Sequence, residues 1–298
     1  MSGAAVFHNT AAPANKQLHL FYNTDKQNLG LQLRDEAKTS DETEAYVATD
    51  ADQTGIVINP AQVTTTNLTG IDLVVGFTAK PPPKVGDATQ NDVSIISPIY
   101  QPLAATELGN ITIASTSSPQ TAWVYYLTGT DYNTTAINEI SLGEESPGSF
   151  DNTVKILPGT SLAAYYVPGD KPEDDGNRYI IYQANHPKRL HEYSPNTEHV
   201  WDQELVNSND VKDNSTLAVA YIDGKTYLYY VDTSDQIRVI VKDDSGWGGS
   251  NPVNVAHAPI DTQSQLTVVA ADNGNHLFYI ALGEKSKYKF QHILHARK

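Results

Sequence analysis

The sequence predicts an all-β protein built from six repeated units, and three observations support this prediction. Turn-forming residues are abundant, with 19 Gly and 16 Pro, and 17 Tyr accompany them. Apolar and polar residues alternate in short runs, as they do in β-strands, while helical spacing extends over no more than about two turns. The runs also recur at a nearly constant interval, which indicates a repeat architecture.

The first strand of each unit is rich in small and β-branched residues. The six runs are GAAVFHN from Gly3, GIVINP from Gly55, GNITIAS from Gly109, SLAAYYV from Ser161, TLAVAYI from Thr216 and QLTVVAA from Gln265. Their starts lie about 50 residues apart, an interval typical of propeller blades.

The second strand of each unit is more aromatic and follows the first in every repeat. The runs are LHLFY with His19, IDLVV with Asp72, AWVYY with Trp123, RYIIY with Tyr179, TYLYY with Tyr227 and NHLFY with His276, at intervals of 53, 51, 56, 48 and 49 residues. Two strand classes that repeat in step six times are a stronger signal than either class alone.

A third strand closes each unit, and a weaker fourth segment follows some of them. The third runs are LGLQLRD, VSIISPI, INEISLG, LHEYSPN, IRVIVKD and YKFQHIL, and examples of the fourth are EAYVATD and NPVNVAH. Turn segments such as NTDKQN predict antiparallel hairpins. Because one unit cannot bury both faces of its sheet, we expect a single six-bladed β-propeller domain over residues 1–298, with three to four antiparallel strands per blade.

The composition excludes several function classes. Lys and Arg number 20 against 35 Asp and Glu, and the net charge of −15 opposes binding to nucleic acid or to an anionic membrane surface. Cys is absent, which excludes disulfides, thiolate catalysis and Cys-based zinc sites. No apolar run reaches the ~18 residues of a membrane span and no signal peptide is visible, so we expect a cytoplasmic protein without metal or cofactor.

The fourth and fifth units carry motifs of a known family. The fourth contains Leu190-His191-Glu192-Tyr193 and then Trp201, and the fifth ends IRVIVKDDSGWGG with Trp247. These motifs resemble repeats of the fungal fucose-specific lectins. The resemblance implies sugar sites that each combine an Arg on the second strand, a Glu on the third strand and a nearby aromatic ring.

No single unit of this sequence retains that full triad. Glu192 and Trp201 match in the fourth unit, Glu139 matches in the third, and Trp247 matches in the fifth. The register that should hold Arg instead holds His19, Asp72, Trp123, Tyr179, Tyr227 and His276. Arg178 lies one residue from that register, and such a shift turns a strand side chain to the opposite face of its sheet.

One functional class with a similar fold lacks these triads, namely the fungal hetero-Diels–Alderases that join a tropolone quinone methide to a sesquiterpene such as humulene. The resemblance implies a cofactor-free enzyme that orients two apolar substrates and donates a hydrogen bond to the quinone methide oxygen. Our candidate catalytic donors are His19, His276, Tyr179, Tyr227 and Arg178. Our candidate substrate-binding residues are Trp123, Asp72, Glu192, Trp201 and Trp247.

The alternative hypothesis is a lectin that binds fucosylated glycans through altered sites. Those sites would centre on Glu192 with Trp201, on Glu139 with Trp123, and on Trp247. A lectin should carry several similar shallow sites between blades, whereas the enzyme should carry one deep apolar cavity. A third interpretation is that the rings of the Arg register only fill space between blades. A homodimer is compatible with every hypothesis.

Overall fold

The computed structural model describes residues 3–40, 42–47, 54–80, 90–143, 150, 154–169, 176–195, 201–253, 256–284 and 288–297. The chain divides into two compact units, the first comprising residues 1–65, 73–111 and 254–298 and the second residues 66–72 and 112–253. Within the described ranges, the only helix is a 3-10 turn at Ala14–Lys16. No helix among them has the length and apolarity needed to cross a bilayer.

Three antiparallel sheets make up most of the first unit, although the end of β5 and the start of β6, within residues 66–72, are assigned to the second. The first is β1 Ala4–His8, β2 Leu18–Asn23, β3 Leu29–Arg34 and β4 Glu42–Val47; the second is β5 Val63–Leu68, β6 Ile71–Ala79, β7 Asn91–Ser97 and β8 Gln101–Thr106; the third is β21 Thr267–Ala271, β22 Gly274–Ile280 and β23 Phe290–His295. In each sheet the strands pair in chain order, so every connection joins spatial neighbours.

Three further antiparallel sheets form the second unit. They are β9 Ile113–Ser117, β10 Ala122–Thr128 and β11 Ala136–Ser141; then β12 Ala163–Val167, β13 Asn177–Gln183, β14 Leu190–Ser194 and β15 Trp201–Glu204; then β16 Leu217–Ile222, β17 Lys225–Val231, β18 Ile237–Asp243, β19 Gly246–Trp247 and β20 Asn251–Pro252. Six sheets of three to five strands therefore correspond to the six predicted repeats.

The predicted second and third strands are confirmed, whereas two of the predicted first strands are not: GNITIAS contributes only residues 113–115 to β9, and GIVINP forms no strand. All six second and third strands fall on the runs assigned to them. The run GIVINP is wrong as a first strand, because it forms only the isolated bridge between Val57 and Thr78. Pro60 supplies no N–H for a ladder, and the β-branched Thr64–Thr66 that follows lies in β5 instead.

The first and last sheets of the chain pack against each other in the first unit. Leu18 and Leu20 of β2 share a buried cluster with Phe278 and Ile280 of β22. The buried amide of Gln265 also joins the sheets, because its Oε1 accepts hydrogen bonds from the backbone N–H of Ala4 at 3.0 Å and of Val63 at 3.1 Å. The first and last sheets of the chain are therefore neighbours in space, although they are far apart in sequence.

The sheet β12–β15 has a buried cluster on each of its faces. Ile180 and Tyr182 of β13 pack with residues of β10, whereas Ile181 packs with Leu228 and Ile240 of the sheet β16–β20. This alternation follows from the two-residue period of a strand. It creates two inter-sheet interfaces within the second unit, and both contain charged residues.

Candidate functional site

The interface between β9–β11 and β12–β15 holds what we call the arginine site, comprising Trp123, Tyr125, Glu139, Tyr166 and Arg178. The guanidinium of Arg178 donates from Nε and Nη2 to the two carboxylate oxygens of Glu139, each at 3.0 Å. It also lies 4.6 Å from the centre of the Trp123 ring. The Tyr166 ring stacks on the same tryptophan, with 6.1 Å between the two ring centres.

The charged pair and the Trp123 ring of the arginine site are buried, whereas Tyr166 is only partly buried. The side chains of Arg178 and Glu139 are 6% and 0% exposed, and Trp123 is 1% exposed. Burial, followed by the Glu139 carboxylate, raises the pKa of the Tyr125 phenol well above its usual range. The bidentate geometry fixes the two charged groups against each other, and their burial leaves almost no charged surface for a ligand.

The opposite interface holds what we call the lysine site, comprising Tyr165, Tyr179, Glu192, Trp201, Lys242 and Trp247. Lys242 Nζ donates to Glu192 Oε2 at 2.9 Å and to Oε1 at 3.1 Å. The Tyr165 hydroxyl donates a short hydrogen bond to the same Oε1. Glu192, which lies on β14, is thus held by a cation from β18 and a phenol from β12.

Three aromatic rings surround the Lys242 ammonium. Its Nζ lies 4.6 Å from the ring centre of Tyr179, 5.2 Å from that of Trp201 and 5.6 Å from that of Trp247. These distances fall within the range of cation–π attraction, which is strongest for Trp. Lys242 and Trp247 are also cross-strand partners, which fixes them on one face of the sheet.

Unlike the charged pair of the arginine site, the lysine site reaches the surface. Trp201 is 37% exposed, and the Lys242 side chain is 23% exposed, although Glu192 beneath it is 0% exposed. Trp247 also lines a neighbouring pocket of about 180 Å³, formed by residues 203–207, Ile240 and residues 245–248. An apolar ring face, a donor and an adjacent hollow therefore occur together.

The phenols of the lysine site remain protonated donors over the working pH range. Burial, then the Glu192 carboxylate, raises the pKa of Tyr165 far above its usual value. The same two causes raise the pKa of Tyr179. Tyr165 therefore keeps donating to Glu192, which fixes the carboxylate in one orientation.

The remaining predicted site residues lie in different surroundings. In the first unit, His276 is fully buried with its Nδ1 2.8 Å from His292 Nε2, and the His19 ring contacts Phe7 at 4.8 Å. Tyr227 is 4% exposed, and Asp72 is exposed and accepts a hydrogen bond from Asn67 at 2.7 Å. Across the described part of the chain, no group of three or more potential ligands is arranged for a metal.

The sequence did not predict which residues supply the cations that pair with Glu139 and Glu192. Each carboxylate, Glu139 or Glu192, is paired with a cation from the next sheet along the chain and not from its own. Arg178 lies on the face opposite Tyr179, as the register shift predicts, and there it completes an Arg–Glu–Trp set across two sheets. Lys242 lies in the third-strand run IRVIVKD, but nothing in that run identifies it as the partner of Glu192, since this pairing forms between sheets.

Comparison with known proteins shows the fold. No protein-family model and no curated protein matches the sequence. Among solved structures, the chain is similar to the lectin SapL1 in complex with alpha methyl fucoside, with 12% identity, TM-score 0.61, and 99% of this chain and 96% of that chain covered. It is also similar to AofleA from Arthrobotrys oligospora, with 13% identity, TM-score 0.61, and 99% and 87% covered.

A third similar structure names the architecture. It is the fucose-recognising lectin of Aleuria aurantia, described as a six-bladed β-propeller, with 12% identity, TM-score 0.65, and 95% of this chain and 88% of that chain covered. Identities this low show the shared fold and not a shared ligand. The six sheets and this similarity together confirm the predicted fold class, and the chain is a six-bladed β-propeller of the kind found in fucose-binding lectins.

Proposed function

We propose that this protein binds a carbohydrate at the lysine site. The observation that carries the proposal is that Lys242 Nζ lies 5.2 Å from the ring centre of Trp201 and 5.6 Å from that of Trp247, where Trp201 is 37% exposed and the Lys242 side chain 23% exposed. Sugars present an apolar C–H face and a polar rim, and a binding site needs matching groups for both. The fucose-binding titles of similarly folded lectins add support at the level of ligand class.

The chemistry of the site suits a neutral, hydroxylated ligand. The ammonium and Glu192 form a neutral pair, and the net charge of −15 opposes a polyanion. Aromatic rings give contact area at little entropic cost, and a charge-assisted donor fixes orientation. The long contact of Lys242 Nζ to the Tyr165 hydroxyl, 3.3 Å, is the one that a ligand oxygen would replace.

The cycloaddition hypothesis stays a prediction, and three of its proposed donors, Arg178, Tyr227 and His276, are buried. Arg178 is bidentate to buried Glu139, and Tyr227 is buried. Burial, then the charges of His8 and Arg297, lowers the pKa of His276 to about 4, so its ring is neutral near pH 7, and its two nitrogens face His292 Nε2 and Asn273 Oδ1. These contacts favour carbohydrate binding as the principal function.

The test is glycan-array binding of the purified full-length chain, using fucosylated, N-acetylated and uronic acid glycans. We expect specific glycan binding whose affinity falls at least about tenfold in Trp247→Ala. This change removes a ring that lies beside the Lys242 ammonium and also lines the pocket. Tyr132→Ala is the matched control, since Tyr132 is an exposed aromatic residue in a turn of the same unit.

Two outcomes would contradict the proposal. Binding that survives Trp247→Ala would place the site elsewhere. The cycloaddition hypothesis would be favoured by a second result. In it, no glycan on the array binds, a tropolone or humulene analogue binds 1:1 in calorimetry, and Tyr179→Ala abolishes that binding. Thermal melting of each variant separates lost contacts from lost folding.

A further inference from the structure

The pocket beside Trp247 adjoins the lysine site along two strands. On β18, Lys242 belongs to the lysine site, and Ile240, two residues away, lines the pocket. On β15, Trp201 belongs to the lysine site, and Gln203, two residues away, lines the pocket. Residues two apart on a strand lie on one face, about 6.6 Å from each other. The lysine site and the pocket are therefore consecutive along both strands, and Trp247 is common to the two.

The pairing of β14 with β15 places the Gln203 side chain next to the lysine site. Gln203 is the cross-strand partner of Glu192, so both side chains lie on the face that carries this site. Gln203 is exposed, and its side-chain amide makes no hydrogen bond to the residues that the structure describes. An amide supplies both donors and an acceptor, as sugar hydroxyls require. Gln203 is thus available to a ligand that extends from the lysine site into the pocket.

The pocket has room for one six-membered ring. Its volume is about 180 Å³, and a protein cavity of about 150 Å³ can hold benzene. Its apolar lining consists of Trp247, Ile240, Leu205 and Val206. Val206 is 60% exposed, so this lining continues to the surface. An apolar wall that a ligand can reach from solvent suits the C–H face of a pyranose ring.

The polar lining of the pocket favours a neutral ligand. Asn207 donates from Nδ2 to the backbone oxygen of Gly248 at 2.9 Å, which leaves its Oδ1 to accept from a ligand hydroxyl. Glu204 also lines the pocket, but its carboxylate pairs with Arg189. A charged ligand group would find no unpaired counter-charge among these residues, and desolvating it would be costly.

We infer that the lysine site and the pocket are two adjacent subsites of one cleft, which binds a neutral glycan of at least two units. One unit lies on Trp201 beside Lys242. The next lies in the pocket, where Gln203 and Asn207 exchange hydrogen bonds with its hydroxyls. The second unit binds at high effective concentration because it is linked to the first. This inference rests on the proposed carbohydrate-binding function and adds the length of its ligand.

The experiment is a calorimetric titration of the full chain with two sets of sugars. The first set is the methyl glycosides of glucose, galactose, mannose and fucose, and the second is disaccharides that carry each of these units at the non-reducing end. We expect the best disaccharide to bind at least about tenfold more tightly than the methyl glycoside of its own terminal unit. Saturation-transfer NMR should show transfer from the protein to both units of that disaccharide.

Two variants change the pocket and leave the lysine site intact. Gln203→Ala removes the available amide, and Val206→Trp fills the pocket with a larger side chain. Each should reduce the advantage of the disaccharide to less than about threefold, with the affinity for the methyl glycoside unchanged. Gln120→Ala is the matched control, because Gln120 is an exposed glutamine between β9 and β10 of the same unit. Thermal melting of each variant identifies any loss of folding.

The outcomes separate this inference from the function on which it rests. If the disaccharides bind no more tightly than the methyl glycosides, and Trp247→Ala still abolishes binding, the inference is wrong and carbohydrate binding stands. If the advantage of the disaccharide persists in both Gln203→Ala and Val206→Trp, the second unit lies outside the pocket and the inference is again wrong. If no sugar binds in the titration or on the array, both are overturned.

Discussion

Arg178 illustrates how the position of one residue along a strand decides which site it joins. Its neighbour Tyr179 points towards Lys242, whereas Arg178 points through the opposite face of β13 to Glu139. Sequence alone predicted the change of face, because strand side chains alternate. It did not predict the partner, since Glu139 lies 39 residues away in another sheet.

At the residue scale we expect Arg178→Met to be strongly destabilising. The change leaves the fully buried Glu139 carboxylate without its cation, and breaking such a pair typically costs about 3–5 kcal/mol. Urea unfolding followed by tryptophan fluorescence measures the loss. Adding Glu139→Gln to Arg178→Met should recover part of the lost free energy of unfolding. A loss below about 1 kcal/mol in Arg178→Met alone would contradict this account.

At the element scale, β22 and β23 are joined by a pair of buried histidines. The Asn273 amide donates from Nδ2 to the backbone oxygen of Glu36, so its Oδ1 faces His276 Nε2 at 2.7 Å and accepts from it. The other ring nitrogen of His276 then accepts from His292 Nε2 at 2.8 Å. Both rings are therefore neutral, each with one N–H.

We expect this pair to make the protein less stable as the pH falls. Burial is the main cause that lowers the pKa of His276 to about 4, and burial followed by the charge of His276 lowers that of His292 to about 3. The unfolded chain, with histidine pKa near 6.5, binds protons first. Stability is thus complete above about pH 6.5 and declines towards pH 4.

The measurement is the urea midpoint at pH 7 and pH 4.5. The wild type should lose roughly 2–2.5 kcal/mol per histidine between these values. The double variant His276→Gln with His292→Gln should lose markedly less on acidification, while His186→Gln, at an exposed position, should behave as the wild type. An equal loss in all three proteins would show that other groups control the acid response.

At the scale of the whole molecule, the fold is shared with lectins at only 12–13% identity, over 95–99% of this chain. The repeat pattern of strands is what the two sets of proteins have in common. A shared fold does not determine ligand recognition, which depends on the individual residues of each site.

We expect the chain to unfold in one cooperative calorimetric transition, with equal calorimetric and van't Hoff enthalpies. A sheet of a propeller cannot bury both faces without neighbours on either side, which couples the repeats. Differential scanning calorimetry at neutral pH measures the two enthalpies. Two separate transitions would indicate that residues 112–253 and the remainder unfold independently, and would contradict the single-domain prediction.

The sequence by itself determined the number of repeats, the positions of their second and third strands and the opposite faces of Arg178 and Tyr179. These properties depend on the local periodicity of apolar residues, which is visible in the sequence. Only the tertiary structure showed that Arg178 neutralises Glu139, that Lys242 lies among Tyr179, Trp201 and Trp247, and that Glu192 is closed to solvent. Those facts depend on how sheets pack, and packing brings together residues whose separation along the chain carries no periodic signal.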